Sequence, residues 1–175
     1  MSVLAATDGT TVPDRVVEVA ADLAAQYGEE LVVLHVIPED VFEEQRKSSV
    51  ESTSDLALTF APEITYRELG DQTGTPGGSD ARYSLEHAQR DAAGVAEDVT
   101  TRTVEDLDAV EAVSYHGRVG DVTEEILHVA DEADPRYLVV GGRKRTPVGK
   151  AIFGSVTQSL LLEADRPVVT VMSEE

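Results

Sequence analysis

Tyr137-Leu138-Val139-Val140-Gly141-Gly142, the basic turn Arg143-Lys144-Arg145, then Gly154-Ser155-Val156-Thr157-Gln158 running into Leu160-Leu161-Leu162, and last Pro167-Val168-Val169-Thr170-Val171-Met172: this stretch decides the fold. Tyr137–Val140 is apolar on both faces, as a strand covered from both sides in a parallel sheet must be. Ser155-Val156-Thr157-Gln158 has the spacing of a capping box and opens a helix through the three leucines. Pro167 then starts a second apolar strand. Strand, helix, strand in that order is a crossover unit between parallel strands, and such crossovers are right-handed.

Working back toward the N-terminus, the same unit repeats. Asp121-Val122-Thr123-Glu124 has capping spacing with Asp in the capping role, and Val122, Ile126, Val129, Ala130 and Ala133 line one helical face. Val110–Tyr115 reads as a strand. A helix from about Ser79 carries Ala81, Leu85, Ala88, Ala92, Val95, Ala96 and Val99 at spacings of three and four. Leu31–Val36 is another two-faced apolar strand. Ahead of it, Val16, Val17, Ala20, Leu23, Ala24 and Tyr27 form a helix, with Pro13 as its first residue and Gly28 as its cap. Ser2–Thr7 is the opening strand and ends in the turn Asp8-Gly9. Residues 39–80 interrupt the rhythm: acidic, rich in Ser, Gly and Pro, they read as a long insert loop with Phe42, Leu56, Leu58, Phe60 and Ile64 packing down. The sum is one α/β domain over 1–175, five strands alternating with four helices around a mainly parallel sheet.

Composition narrows the function. With 41% hydrophobic residues the 175-residue chain has material for a core, and it holds no apolar run long enough for a membrane span. It starts without a basic leader, and with no Cys it has neither disulfide framework nor thiolate chemistry; a cytoplasmic location is expected. Fourteen Lys and Arg against 34 Asp and Glu give a net charge of −20, which repels nucleic acid and anionic lipid. Such self-repulsion suits a cytoplasm of high salt, so a halophilic origin is the expectation.

Against that acidity one region stands out. No Asp or Glu occurs from Pro135 to Leu162, while Arg136, Arg143, Lys144, Arg145 and Lys150 do. The basic turn follows a buried strand, at the carboxyl end where open α/β sheets hold their ligands. Gly141, Gly142, Gly149 and Gly154 allow close backbone approach, and Gly154-Ser155 opens a helix whose free N–H groups favour an anion. A solvated basic turn is the plain alternative; a phosphate site is the functional one. It is not a Walker A loop, because Gly149-Lys150 has no Gly five residues earlier and is followed by Ala151. No G-x-G-x-x-G follows a strand either.

Val139-Val140-Gly141-Gly142-Arg143, Phe153-Gly154-Ser155-Val156 and Arg166-Pro167-Val168-Val169-Thr170-Val171 together resemble the universal stress protein family. The resemblance extends to Ala6-Thr7-Asp8, Leu34-His35-Val36-Ile37 and 117–130, leaving 39–80 idiosyncratic. It implies an open, twisted five-stranded parallel sheet of order 3-2-1-4-5 with helices on both faces, and commonly a dimer. The family's ATP-binding branch carries G-x-x-G, nine residues, then G-[ST]. Gly141 and Gly154-Ser155 sit at that distance, but Lys144 replaces the second glycine. If the loop needs positive φ there, Lys adds strain of about 1 kcal/mol; if it needs only an N–H, Lys adds a charge for phosphate.

By the same resemblance, Asp8 would contact the ribose or a phosphate-bound Mg²⁺, with Ala6 and Thr7 lining the crevice. Val36 would offer backbone groups to the adenine edge, and Val140 and Gly141 would pack beneath the nucleotide. Gly154, Ser155 and Val156 would hold phosphates, with Arg143 and Lys144 nearby. Plainer roles stand beside these: Asp8 as a turn cap, Ser155 as a helix N-cap, Val36 as core. His35, His87, His116 and His128 show no metal-ligand spacing. The function implied is an ATP-binding stress protein acting as a switch or partner-binding module, with the insert closing as a lid. The rival is a nucleotide-free homodimer joined through the apolar edge strand Val168–Met172. No nucleophile–base pair is readable, so at most slow ATP hydrolysis is expected.

Overall fold

The computed structural model describes residues 1–9, 15–51, 83–143 and 153–173. Its elements run β1 (Ser2–Thr7), α1 (Val16–Tyr27), β2 (Glu30–Pro38), α2 (Glu39–Glu51), α3 (Leu85–Thr103), a 3₁₀ turn (Leu107–Ala109), β3 (Val113–Gly120), α4 (Val122–Ala133), β4 (Tyr137–Arg143), α5 (Ser155–Glu163) and β5 (Val168–Ser173). All strand pairs are parallel and the order is β3-β2-β1-β4-β5. The expected sheet is the observed one.

Alternation along the strands explains why helices cover both faces. Val3 and Ala5 of β1, with Leu31 and Val33 of β2, point toward α1 and α3, where Val17, Ala20, Val95 and Val99 close one core. Leu4, Leu34 and Leu138 point the other way, onto Ile126, Val129 and Leu160 of α4 and α5. Burying side chains of this size stabilises by roughly 1.5–3 kcal/mol each.

Helix ends follow local chemistry. Gly28 takes φ +62 and closes α1, as its sequence position implies. The Asp121 carboxylate accepts from the Thr123 and Glu124 N–H groups at 2.9 and 3.1 Å and opens α4. At the other end of α4 the half-buried Arg166 guanidinium donates to the Ala130 carbonyl at 2.6 Å and pairs with Asp131 and Asp165. The motif Arg166-Pro167 therefore holds a helix C-terminus, where a cation complements the dipole.

Several boundaries differ from the sequence reading. Residues 39–51 are helix rather than loop: Glu39 and Asp40 favour its first turn, and Phe42 packs on the Tyr83 ring at 6.0 Å. The remainder of the expected insert, 52–82, lies outside the described residues. Helix α1 starts at Val16 with Arg15 as N-cap, and Pro13 lies outside the described residues. Helix α3 starts at Leu85, where Ser84 Oγ accepts from the His87 N–H. Strand β3 lies further along than Val110–Tyr115, because Gly117 sits where α3 crosses the sheet: a Cβ there would meet Gln89 O and Ala93 N. Gly141 and Gly142 belong to β4 rather than to a loop after it, paired with Val171 and Met172. At Gly142 a Cβ would lie 2.6 Å from Met172 Sδ, so the Met172 side chain occupies the space that the glycine leaves.

A crevice at the switch point of the sheet

Strands β1 and β4 are neighbours, yet their connections leave in opposite directions across the sheet, which opens a crevice at their carboxyl ends. The ladder between them runs from Val3–Tyr137 to Ala6–Val140 and stops. Thr7 and Asp8 on one side stand level with Gly141 and Gly142 on the other. Ala6 is half-buried, Thr7 and Val140 are buried, and Asp8 and Gly141 are exposed. The Gly9 N–H donates to Thr7 Oγ1 at 3.1 Å, and Gly9 takes φ +87, so a side-chain turn ends β1.

Strand β2 outruns β1. Their last rung is Thr7–His35, whereas β2 continues beside β3 to the Pro38–Gly120 rung. Val36 is the first residue of this overhang; it lies two residues inside the strand, not at its end, and is 7% exposed. Beyond it a cleft of about 280 Å³ is lined by Pro38, Glu39, Asp40, Gly120, Asp121 and Val156 among others. This flank of the rim carries carboxylates.

Through Val156 the same cleft borders the start of α5. Gly154 is its N-cap with no side-chain bond, so Ser155 is the first helical residue and the expected Ser155 capping box does not form. Thr157 Oγ1 turns instead to the Gly141 carbonyl, 2.7 Å away, and ties the helix start to the end of β4. Gly154 and Ser155 are exposed, Val156 half-buried, and nothing lies within 4 Å of where a Gly154 Cβ would stand. The free N–H groups of this first turn lie beside the crevice. The backbone of Arg143 ends β4, while Lys144, Arg145 and Lys150 lie outside the described residues.

Arg136 does not belong with those cations. It precedes β4 at the far end of the strand, its Nε 2.6 Å from the buried Glu29 carboxylate and its guanidinium over the Tyr27 ring. Its place in the acid-free window was an accident of sequence proximity. Among the described residues no group of three His, Asp or Glu side chains is arranged to hold a metal. His87 meets Ser84, His128 meets Glu132, and His35 is buried under the β1 turn.

Fold and rim define a doubly wound α/β domain with a ligand crevice at its topological switch point. The model of the universal stress protein family matches residues 1–172, and the chain belongs to that family. A universal stress protein of Mycolicibacterium smegmatis is 53% identical over 51 residues, 29% of this chain and 39% of that protein, so the match spans well under half of that relative's length. Among the solved structures that share the fold are two nucleotide complexes. A universal stress protein in complex with cAMP is 17% identical, covering 99% of this chain and 98% of its own, with a TM-score of 0.59. The universal stress protein of Archaeoglobus fulgidus in complex with dAMP is 19% identical, covering 97% and 96%, with a TM-score of 0.54. No described helix is long and apolar enough to cross a membrane.

Proposed function

We propose that this chain binds an adenine nucleotide, ATP foremost, in the crevice between β1 and β4 and acts as a ligand-dependent switch or interaction module in a stress response. One observation carries the reading: the β1–β4 ladder stops at Ala6–Val140 just where an exposed helix start is pinned to Gly141 by Thr157. An anion in that gap meets free N–H groups and a helix dipole. Gly154, Ser155 and Val156 hold the phosphates, with Arg143 and Lys144 adding charge. Asp8, exposed at the opposite lip, takes the ribose hydroxyls or a phosphate-bound Mg²⁺. Ala6, Thr7, Val140 and Gly141 line the floor. The base lies toward Val36 and the carboxylate-lined cleft, which suits the amino group of adenine as a donor. The two solved relatives bound to cAMP and dAMP support an adenine nucleotide, though at their low identity the residues here carry the argument.

Mass spectrometry of whatever leaves the purified protein on denaturation, followed by titration with ATP, tests the reading. A nucleotide released in near-equal amount, or saturable binding by the emptied protein, is expected. No release and no binding of ATP or cAMP overturns it.

A second reading concerns assembly and rests on a different edge. Strand β5 pairs only with β4 within the described chain, and on α5 beside it Leu161 is 41% and Leu162 78% exposed. An edge of this kind favours pairing with a second copy through Val168–Met172. Light scattering at high salt should then give a dimer's mass, and a monomer would refute it. Binding rather than catalysis is the role proposed.

A further inference from the structure

The turn that carries Asp8 rests on a histidine that none of the roles above uses. His35 is 3% exposed, and its Nδ1 lies 3.0 Å from the Thr7 carbonyl oxygen. A carbonyl only accepts, so Nδ1 bears the proton and donates. The ring also supports the residue after Asp8. A methyl group at Gly9 would stand 3.3 Å from His35 Cε1 and 3.1 Å from Val95 Cγ1, so the backbone of the turn lies directly against both side chains. Two further restraints act on the same three residues: the Gly9 N–H to Thr7 Oγ1 bond, and a φ of +87 that glycine alone adopts readily. Thr7–His35 is also the last rung between β1 and β2.

Around the ring, β1 contributes the Asp8 carboxylate through its turn, β3 contributes Gly117, and α3 contributes Val95. The α3 carboxylates Asp91 and Asp98 are engaged by Tyr83 and Arg102.

We propose that His35 is a positioning residue of the crevice: its uncharged ring, donating to Thr7 and underlying Gly9, fixes where Asp8 is presented and so sets the strength of ligand binding. This rests on the nucleotide reading for its ligand, but its structural half stands without one. Burial opposes protonation and pulls the ring below its ordinary range, partly offset by the Thr7 bond and by Asp8. Acid therefore drives a charge onto a buried ring packed against the turn, and strains it.

Two variants test this. His35→Leu keeps an apolar body and loses the donor; His35→Asn places an amide near the Nδ1 position. In ligand-free protein the Leu variant should shift the Asp8 and Gly9 amide signals in ¹H–¹⁵N spectra, while Asn leaves them near wild type. In ATP titrations Leu should weaken binding about tenfold and Asn less than about threefold. As pH falls below the ordinary histidine value of 6.5, the wild type should lose affinity through a histidine titration that Asn lacks. Should the Leu variant not fold, the wild-type and Asn pH profiles decide alone, and coincident profiles overturn the proposal. Unmoved turn signals with wild-type affinity in Leu overturn it too, leaving nucleotide binding intact. Moved turn signals in a protein that binds no ATP support the positioning role and instead sink the nucleotide reading.

Discussion

Replacing Gly117 by Ala adds one methyl group, and the structure says where it must go. Its Cβ would lie against Gln89 O, 2.5 Å from Ala93 N and 2.8 Å from Ala92 Cβ, where ordinary contact begins at 3.4 Å. Two of these are backbone atoms of α3, which no rotamer change moves aside. The helix must lift by about an ångström, which forfeits a quarter to a half of each dispersion contact along its buried face of Ala88, Ala92, Val95, Ala96 and Val99. Overpacking of this kind costs about 3 kcal/mol. At 2–4 °C per kcal/mol for a chain of this size, Tm falls by about 6–12 °C. Two control glycines separate sterics from backbone strain. Gly28→Ala meets nothing within 4 Å but must hold φ +62, at about 1 kcal/mol. Gly154→Ala has open space and no positive φ, so Tm stays level or rises slightly through the unfolded chain. Thermal melts by circular dichroism at one fixed KCl concentration rank the three. Gly117→Ala melting within about 2 °C of wild type, or Gly28→Ala losing more than it, would refute the packing argument.

Other expectations follow from the same coordinates. Gly154→Ala, neutral for stability, should weaken ATP binding about tenfold by standing a methyl group where phosphate approaches the helix start; an unchanged Kd in calorimetry contradicts this. Thr157→Val removes the bond to the Gly141 carbonyl and should lower denaturant stability by about 1 kcal/mol, with Thr157→Ser restoring it. Because burial holds His35 below its ordinary value of 6.5, the unfolded chain takes up that proton first as pH falls. Stability is then level above 6.5 and declines below it toward the folded value; His35→Asn should flatten that decline, and equal slopes would refute the assignment. With a net charge of −20, Tm should climb between dilute buffer and about 2 M KCl, and a flat curve would dismiss the high-salt origin.

What the sequence made legible was the part governed by local rules. The four apolar strands other than β3, the αL cap at Gly28 and the Asp121 cap each depend on a few adjacent residues, and each stands where its residues imply. Helix α2 escaped because its apolar residues are few, Val41, Phe42 and Val50, in a mostly polar segment; the run of Glu, Gln, Arg and Lys was a propensity signal overshadowed by the acidic stretch after it. Strand β3 was displaced because nothing near Gly117 announces that a helix 25 or so residues earlier will press on it. Ser155 looked like a cap by pattern, but which residue turns helical first depends on how Thr157 is held by β4.

The site was legible at the level of its strand ends and obscure at the level of its supports. The β1–β4 ladder ends at Ala6–Val140, at the switch point the implied strand order requires, and beyond it Thr7 comes level with Gly141 and Asp8 with Gly142. Arg136 was grouped with the wrong end of β4, since a seven-residue strand at about 3.3 Å per residue carries its ends roughly 20 Å apart. His35 had a signal that passed without a role: one ionisable residue inside an apolar strand, at a position that pairs with the residue before Asp8.

Amide chemical-shift mapping on ATP titration tests the central claim most directly. Nucleotide binding in the crevice should move Thr7, Asp8, Gly9, Val36, Gly141 and Gly154–Val156 together while Glu29 and Tyr137, at the opposite rim, stay still. A spectrum that does not change at saturating ATP, or changes only around Glu29 and Tyr137, would contradict it.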